Sequence, residues 1–167
     1  MGKFGVGQAV RRVEDQRFLT GKGRYTDDIL VPGQAYLYVL RSTHAHADIV
    51  SLNESHAKGA PGVLGILTAT DLVAMNVGSI PADVIPRDQN GNVPKPPTRP
   101  LLASGRVRYV GEPVVAVIAE TLAQAKDAAE LVEIEYNNLA PVTRPAETVK
   151  NGAPAIHPAE APGNVFV

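Results

Sequence analysis

The sequence predicts an α+β domain, a mixed sheet with packed helices, and three observations carry that expectation. The run from Val114 to Ala119 is apolar on both faces, the pattern of a strand covered on two sides rather than of a half-exposed edge. Other short apolar segments recur along the chain, separated by Gly, Pro and Asn punctuation. Thr121 then opens a helical pattern in which Leu122, Ala125, Ala129 and Val132 share one stripe while Gln124, Lys126, Asp127 and Glu130 face away.

Residues 1–30 form an irregular arm. Within it Glu14 to Leu19 fits a short helix ended by Gly21 and Gly23, and Tyr25 to Ile29 fits an extended segment before the Pro32-Gly33 turn. Ala35 to Leu40 is apolar on both faces and is expected inside the sheet. Asp48 to Leu52 alternates as a strand, and Glu54 to Lys58 makes a helical turn stopped by Gly59-Ala60-Pro61-Gly62. Val63 to Leu67 repeats the strand pattern, and Thr68 or Thr70 caps a short helix through Asp71, Leu72 and Met75. The same order of strand, Thr cap and helix from Pro113 to Ala125 suggests a weak internal repeat.

From 76 to 100 the chain is rich in Pro and carries little periodicity apart from Ile80, Val84 and Ile85; a loop beyond about 12 to 15 residues is usually functional or docked on something. Proline limits its freedom and lowers the entropy lost on docking. Val107 to Val110 then reads as a strand, Gly111-Glu112-Pro113 as a corner and Val114 to Ala119 as a buried strand. Thr121 and Gln124 have the spacing of a capping box. A last strand from Val132 to Tyr136 ends at Asn137 and Asn138, whose turn chemistry leads to Leu139-Ala140-Pro141-Val142. The expected organisation is one domain over 1–150, with 151–167 as a linker ending in Asn164-Val165-Phe166-Val167, which resembles the start of a strand.

The chain has 167 residues, 16 basic and 17 acidic, for a net charge of -1. No global field draws it to nucleic acid or an anionic membrane. The absence of Trp, with 3 Phe and 5 Tyr, leaves few base-stacking platforms. No Cys is present, so this chain supplies no disulfide, thiolate zinc site or iron–sulfur ligand. Arg11-Arg12 is not followed by an apolar segment, position 6 is Val where a myristoylation pattern wants Ser or Thr, and no long apolar run occurs. A cytoplasmic location follows as the expectation.

Several residues invite a chemical role. His44 and His46 would project from the same face of an extended segment, where two imidazoles can hold a metal, but no third ligand has a recognisable spacing and His56 and His157 lie elsewhere. Asp27-Asp28 point to opposite faces of an extended chain. Glu133 and Glu135 share a face that reads as solvated, and neither carboxylate pair has the positioned partner that acid–base chemistry needs. Gly5-Val6-Gly7 and Gly21-Lys22-Gly23 lack the third glycine and the preceding strand of a dinucleotide fingerprint. No nucleophile elbow or thiol is present. Glu112, between Gly and Pro, is expected to accept backbone N–H groups or to pair with Arg106 or Arg108. No catalytic, cofactor-binding or metal residue is assigned.

Six segments, read in order, resemble one family. They are Arg11-Arg12-Val13-Glu14-Asp15 with Phe18-Leu19-Thr20-Gly21; Gly23-Arg24-Tyr25-Thr26-Asp27-Asp28-Ile29; Arg41-Ser42 with His44-Ala45-His46-Ala47; Pro61-Gly62-Val63; Arg99-Pro100-Leu101-Leu102-Ala103; and Val107-Arg108-Tyr109-Val110-Gly111-Glu112-Pro113. Together they resemble the amino-terminal domain of the molybdenum-binding large subunit of the xanthine dehydrogenase, aldehyde oxidase and carbon monoxide dehydrogenase family. The opening is closer to the bacterial carbon monoxide dehydrogenase type. The resemblance implies an α/β hammerhead fold and an oxidoreductase that hydroxylates its substrate with water. Its large subunit would carry molybdenum on a molybdopterin cytosine dinucleotide, while partner subunits carry 2Fe-2S clusters and FAD.

The family's pterin-binding loops and catalytic glutamate lie beyond the region this chain resembles, so the resemblance assigns no such role to a residue here. It implies a fragment or a split gene whose product is structural and docks subunits, inactive alone, with substrate choice made elsewhere. The other reading is a free-standing protein- or ligand-binding module that keeps the fold. A surface bared by loss of a partner domain is also expected to drive self-association.

Overall fold

The computed structural model describes residues 11–82 and 85–165. Gly5-Val6-Gly7, Val84 and the end of the Asn164 to Val167 segment lie outside the described residues. The chain divides into two compact units, Met1–Gln34 and Ala35–Val167.

In the first unit, helix α1 (Asp15–Leu19) forms as expected, with Asp15 in its first turn and Arg17 in its last. Phe18 and Tyr25 stack with ring centroids 5.6 Å apart. Gly23 is needed beside them, because a Cβ there would come within 2.7 Å of the Phe18 ring. The extended segment expected over Tyr25 to Ile29 is instead a 3-10 turn, Thr26–Asp28. Asp28 Oδ2 accepts the Tyr25 backbone N–H at 2.8 Å, an option the Asp side chain offers in competition with extended backbone.

The second unit contains strands β1 (Tyr36–Arg41), β2 (Ala47–Asn53), β3 (Val63–Leu67), β4 (Arg106–Val107), β5 (Pro113–Ala119) and β6 (Glu133–Asn138). Between them lie helices α2 (Ser55–Lys58), α3 (Ala69–Ala74) and α4 (Leu122–Glu130), and α5 (Pro145–Thr148) follows β6. The α+β class holds. Instead of one mixed sheet, however, the strands form two three-stranded sheets, ordered β1-β5-β3 and β4-β2-β6. Every pairing between these strands is antiparallel.

This division corrects two expectations. Ala35 to Leu40 was expected inside its sheet, yet β1 is an edge that pairs with β5 alone. Val107 and Val114 were expected on either side of a strand-to-strand corner; β4 stops at Val107, and the corner carries the chain from one sheet to the other. Apolar patterning reports burial but not which strand lies alongside, so neither fact is visible locally.

Helix α4 packs on the β1-β5-β3 sheet through Ala125, Ala128 and Ala129, all buried. Leu122, expected on that stripe, is instead 44% exposed, and Ala128 takes part in its place. Small side chains let the helix approach the sheet closely, over Val115, Val117 and Ala119 of β5. The Thr121 cap is half of the expected box. Its hydroxyl oxygen accepts the Gln124 backbone N–H at 3.2 Å and donates to Gln124 Oε1 at 2.8 Å. Strand β6 runs two residues past the expected end, taking Asn137 and Asn138 into register with Asp48 and Ala47.

Candidate functional site

The Gly-Glu-Pro corner is densely hydrogen-bonded. Gly111 sits at φ 89°, a conformation open to glycine without strain. Its N–H donates to Ser42 O at 2.7 Å, and its own carbonyl accepts from Arg41 Nη1 at 2.9 Å. The Ser42 N–H returns to Glu112 O at 2.9 Å, and Ala103 N–H reaches Pro113 O at 2.7 Å. Three chain segments therefore meet at one corner.

Glu112 is 6% exposed, and its Oε2 accepts the Arg108 backbone N–H. Of the expected partners, that is the backbone one; the arginine heads go elsewhere. Arg106 Nε bonds Asp48 Oδ1 at 2.6 Å across the β4–β2 pair. Arg108 donates to the carbonyls of Ile156 at 3.2 Å and Arg106 at 3.3 Å. The carboxylate thus fastens a backbone N–H inside the corner. A hollow of about 210 Å³ adjoins it, lined by Arg99, Arg108, Tyr109, Glu112 and His157 among others.

The second constellation is the bend from Ser42 to His46. Ser42 is 3% exposed, and its Oγ accepts the His44 N–H at 3.0 Å. His44 Nδ1 lies 2.7 Å from Asn138 Oδ1, and its ring lies tilted against Tyr136 with centroids 4.4 Å apart. Burial pushes the Tyr136 phenol above its usual value, opposed by a hydrogen bond with Ser42. His46 is 4% exposed, with Nδ1 2.8 Å from the Ala140 carbonyl. A carbonyl only accepts, so Nδ1 carries a proton, and in the neutral imidazole the acceptor is Nε2. That nitrogen is buried with no partner among the described residues. The two imidazoles reach the same stretch of chain, His44 meeting Asn138 at the end of β6 and His46 the Ala140 carbonyl just after it.

Four more of the residues singled out are also held by the fold. Asp28 caps the 3-10 turn, and Glu133 and Glu135 accept from Asn53 Nδ2 at 3.2 Å and Ser51 Oγ at 3.3 Å across the β2–β6 pair. Both glutamates are exposed, as the alternation implies. His157 Nδ1 lies 3.3 Å from Glu160 Oε2, while Glu160 Oε1 accepts from the Thr98 backbone and hydroxyl at 2.9 and 2.7 Å. These Thr98 bonds hold the Glu160 carboxyl below its ordinary value. They join the Pro-rich loop to the segment after residue 150 over 62 positions, a pairing that no local pattern encodes.

Two further hollows were not legible in the sequence. One, of about 390 Å³, is lined by Ile49, Leu52, Glu54, Thr68, Asp71 and Gly105 with their neighbours. The other, of about 270 Å³ and mostly apolar, lies between Leu72, Val73, Val77 and Leu101. Among the described residues no group of three or more His, Cys, Asp or Glu gathers to hold a metal, and the chain has no Cys. Without Cys the chain offers no thiolate ligand to an iron–sulfur cluster. No described helix is long and apolar enough to cross a membrane.

The chain as a whole is similar to known proteins. Residues 20–140 match the family described as aldehyde oxidase and xanthine dehydrogenase, a/b hammerhead domain. The nicotine 6-hydroxylase large subunit of Paenarthrobacter nicotinovorans is 40% identical over 162 residues, 97% of this chain and 19% of the relative. The carbon monoxide dehydrogenase large chain of Afipia carboxidovorans is 38% identical over 152 residues, 91% of this chain and 17% of the relative. A crystal structure of the Cu,Mo-CO dehydrogenase superposes with a TM-score of 0.72 at 37% identity, covering 90% of this chain and 18% of that one. The chain thus spans less than a fifth of the length of these relatives.

Proposed function

The chain belongs to the aldehyde oxidase and xanthine dehydrogenase family, whose α/β hammerhead domain it carries, and from that premise we propose that it is a structural and subunit-docking domain of a molybdenum hydroxylase large subunit. It braces the region that holds a molybdenum pterin, which we take to be molybdopterin cytosine dinucleotide. It helps hold partner subunits that carry 2Fe-2S clusters and FAD. The chain itself contributes no catalytic residue and no cofactor ligand, and residues 151–167 lead toward the cofactor-bearing domain.

The observation that carries this reading is the lopsided match: 97% of this chain aligns with 19% of a large subunit. The bonding agrees with it. Glu112, His44, His46, Asp28, Glu133 and Glu135 each engage an atom of the fold. Contacts of this kind agree with a scaffold.

The test is metal analysis and turnover of the purified chain. The expected result is no retained molybdenum and no dye reduction with N-heterocycles, aldehydes or carbon monoxide. Molybdenum near one per chain together with turnover would overturn the reading.

A further inference from the structure

The two faces of the β1-β5-β3 sheet are equally apolar but unequally covered. On one face Tyr38, Leu40, Val115, Val117, Ala119, Val63 and Ile66 belong to or pack against the core that includes α4. The register sets the other face in two rows, Leu37 beside Ile118 and Gly65, then Val39 beside Ala116 and Leu67. No charged residue stands in either row. Leu37 is 55% exposed, Val39, Ile118 and Leu67 are half-buried, and none of the four packs against the core.

Gly65 makes the gap explicit. A Cβ built there meets nothing within 4 Å, and Leu64, the extra residue of the adjoining bulge, is 59% exposed. A central strand apolar on both faces belongs to a sheet that is covered on both faces. Within the described residues of Ala35–Val167 one face is covered by the core and α4, while in the two rows of the other face only Ala116, 7% exposed, is buried.

We propose that this second face, centred on Leu37, Ile118 and Gly65, docks an uncharged aliphatic surface of the remaining large-subunit polypeptide. The relatives supply the length for it, since the matched segment is 19% of the nicotine 6-hydroxylase large subunit. The lack of charge sets the chemistry, because an ionic partner surface would be desolvated there without a counter-charge. The inference rests on the docking role proposed above and assigns that role a surface.

Radical footprinting of side chains tests it, comparing the purified chain with the same chain in the complex captured from its native extract. Leu37 and Ile118 are expected to be labelled in the isolated chain and protected in the complex, while Val50 of the other sheet, 58% exposed, serves as the reference. Gly65→Leu supplies a second readout. With open space above Gly65, the variant keeps the fold and melting temperature of the purified chain, but its assembly weakens by about tenfold or more, equivalent to about 1.4 kcal/mol. Persistent labelling of Leu37 and Ile118 in an intact large complex, or undiminished assembly of the Gly65→Leu variant, would refute the surface and leave the docking role standing. Recovery of only the free chain would refute the docking role itself. Protection of the two residues in a homodimer of the purified chain would show that a second copy is the occupant and overturn the proposal.

Discussion

Two strand–helix units of this chain share a grammar and differ in what they contribute. In each, an apolar strand runs into a Thr cap and a helix: β3 into Thr68 and α3, β5 into Thr121 and α4. The α3 cap is the more complete, with Asp71 Oδ2 accepting both the Thr68 N–H at 2.7 Å and its hydroxyl at 2.6 Å. Yet α3 buries no residue; Val73 stands 75% exposed beside an apolar hollow, and Met75 just after the helix is 62% exposed. Helix α4 buries three alanines against the sheet. Caps decide where a helix begins, whereas the face it buries decides how much stability it adds.

Side-chain truncation should separate the two units most strongly. Val117 of β5 is fully buried, so Val117→Ala removes two methyl groups and leaves a cavity, at a cost of about 2–3 kcal/mol in chemical denaturation. Val73→Ala on α3 is expected to stay within about 0.5 kcal/mol of the parent. Equal losses would mean that α3 is packed and that the contrast is false.

The units meet at Gly62, which has φ 75° and whose added Cβ would lie 2.3 Å from the Gln124 side-chain amide. Left-handed backbone costs a non-glycine residue about 1–2 kcal/mol. Gly62→Ala should therefore destabilise by at least that much, with partial recovery when Gln124→Ala makes room. No recovery would show that backbone conformation alone is responsible.

The smaller effects lie in the caps. Thr121→Ala should lower global stability by about 1 kcal/mol. Thr68→Ala should release the amides of α3 to faster hydrogen exchange while moving the global transition less, because α3 opens locally. Acid should act on the same helix. The Thr68 hydroxyl and then its backbone N–H hold the Asp71 carboxyl below its ordinary value. A depressed carboxylate contributes fully above its unfolded-state value, about 3.9, and loses its contribution as pH falls through the lower folded-state value. Protection of the α3 amides should thus decline in that acid window and become indifferent to pH in Asp71→Asn. An unchanged acid response in the variant would assign the effect to another carboxylate.

The same contrast explains what the sequence revealed. Val63–Leu67, the Thr68 and Thr121 caps and the first helix were legible because propensity, capping and period act within a few residues. The division of strands between two sheets was not, because Val107 and Val114 are near in sequence yet pair with different strands. Nor was the exposure of Leu122, since a stripe drawn by period does not say which of its edges meets the sheet. At the corner, Glu112 was identifiable as an acceptor and its donor was among those expected. The partners of His44 and His46 lie 94 positions away at the end of β6, where Asn138 looked like turn chemistry. The family was recognisable from the order of motifs, not from any constellation that could run a reaction.

The most direct measurement is capture of the native protein with antibodies raised against this chain, followed by molybdenum analysis and sizing of what is captured. A scaffold role predicts molybdenum in the eluate, associated with large-subunit-sized polypeptide or with a complex much larger than 17.6 kDa. Recovery of a 17.6 kDa chain free of molybdenum and of partners would contradict the account.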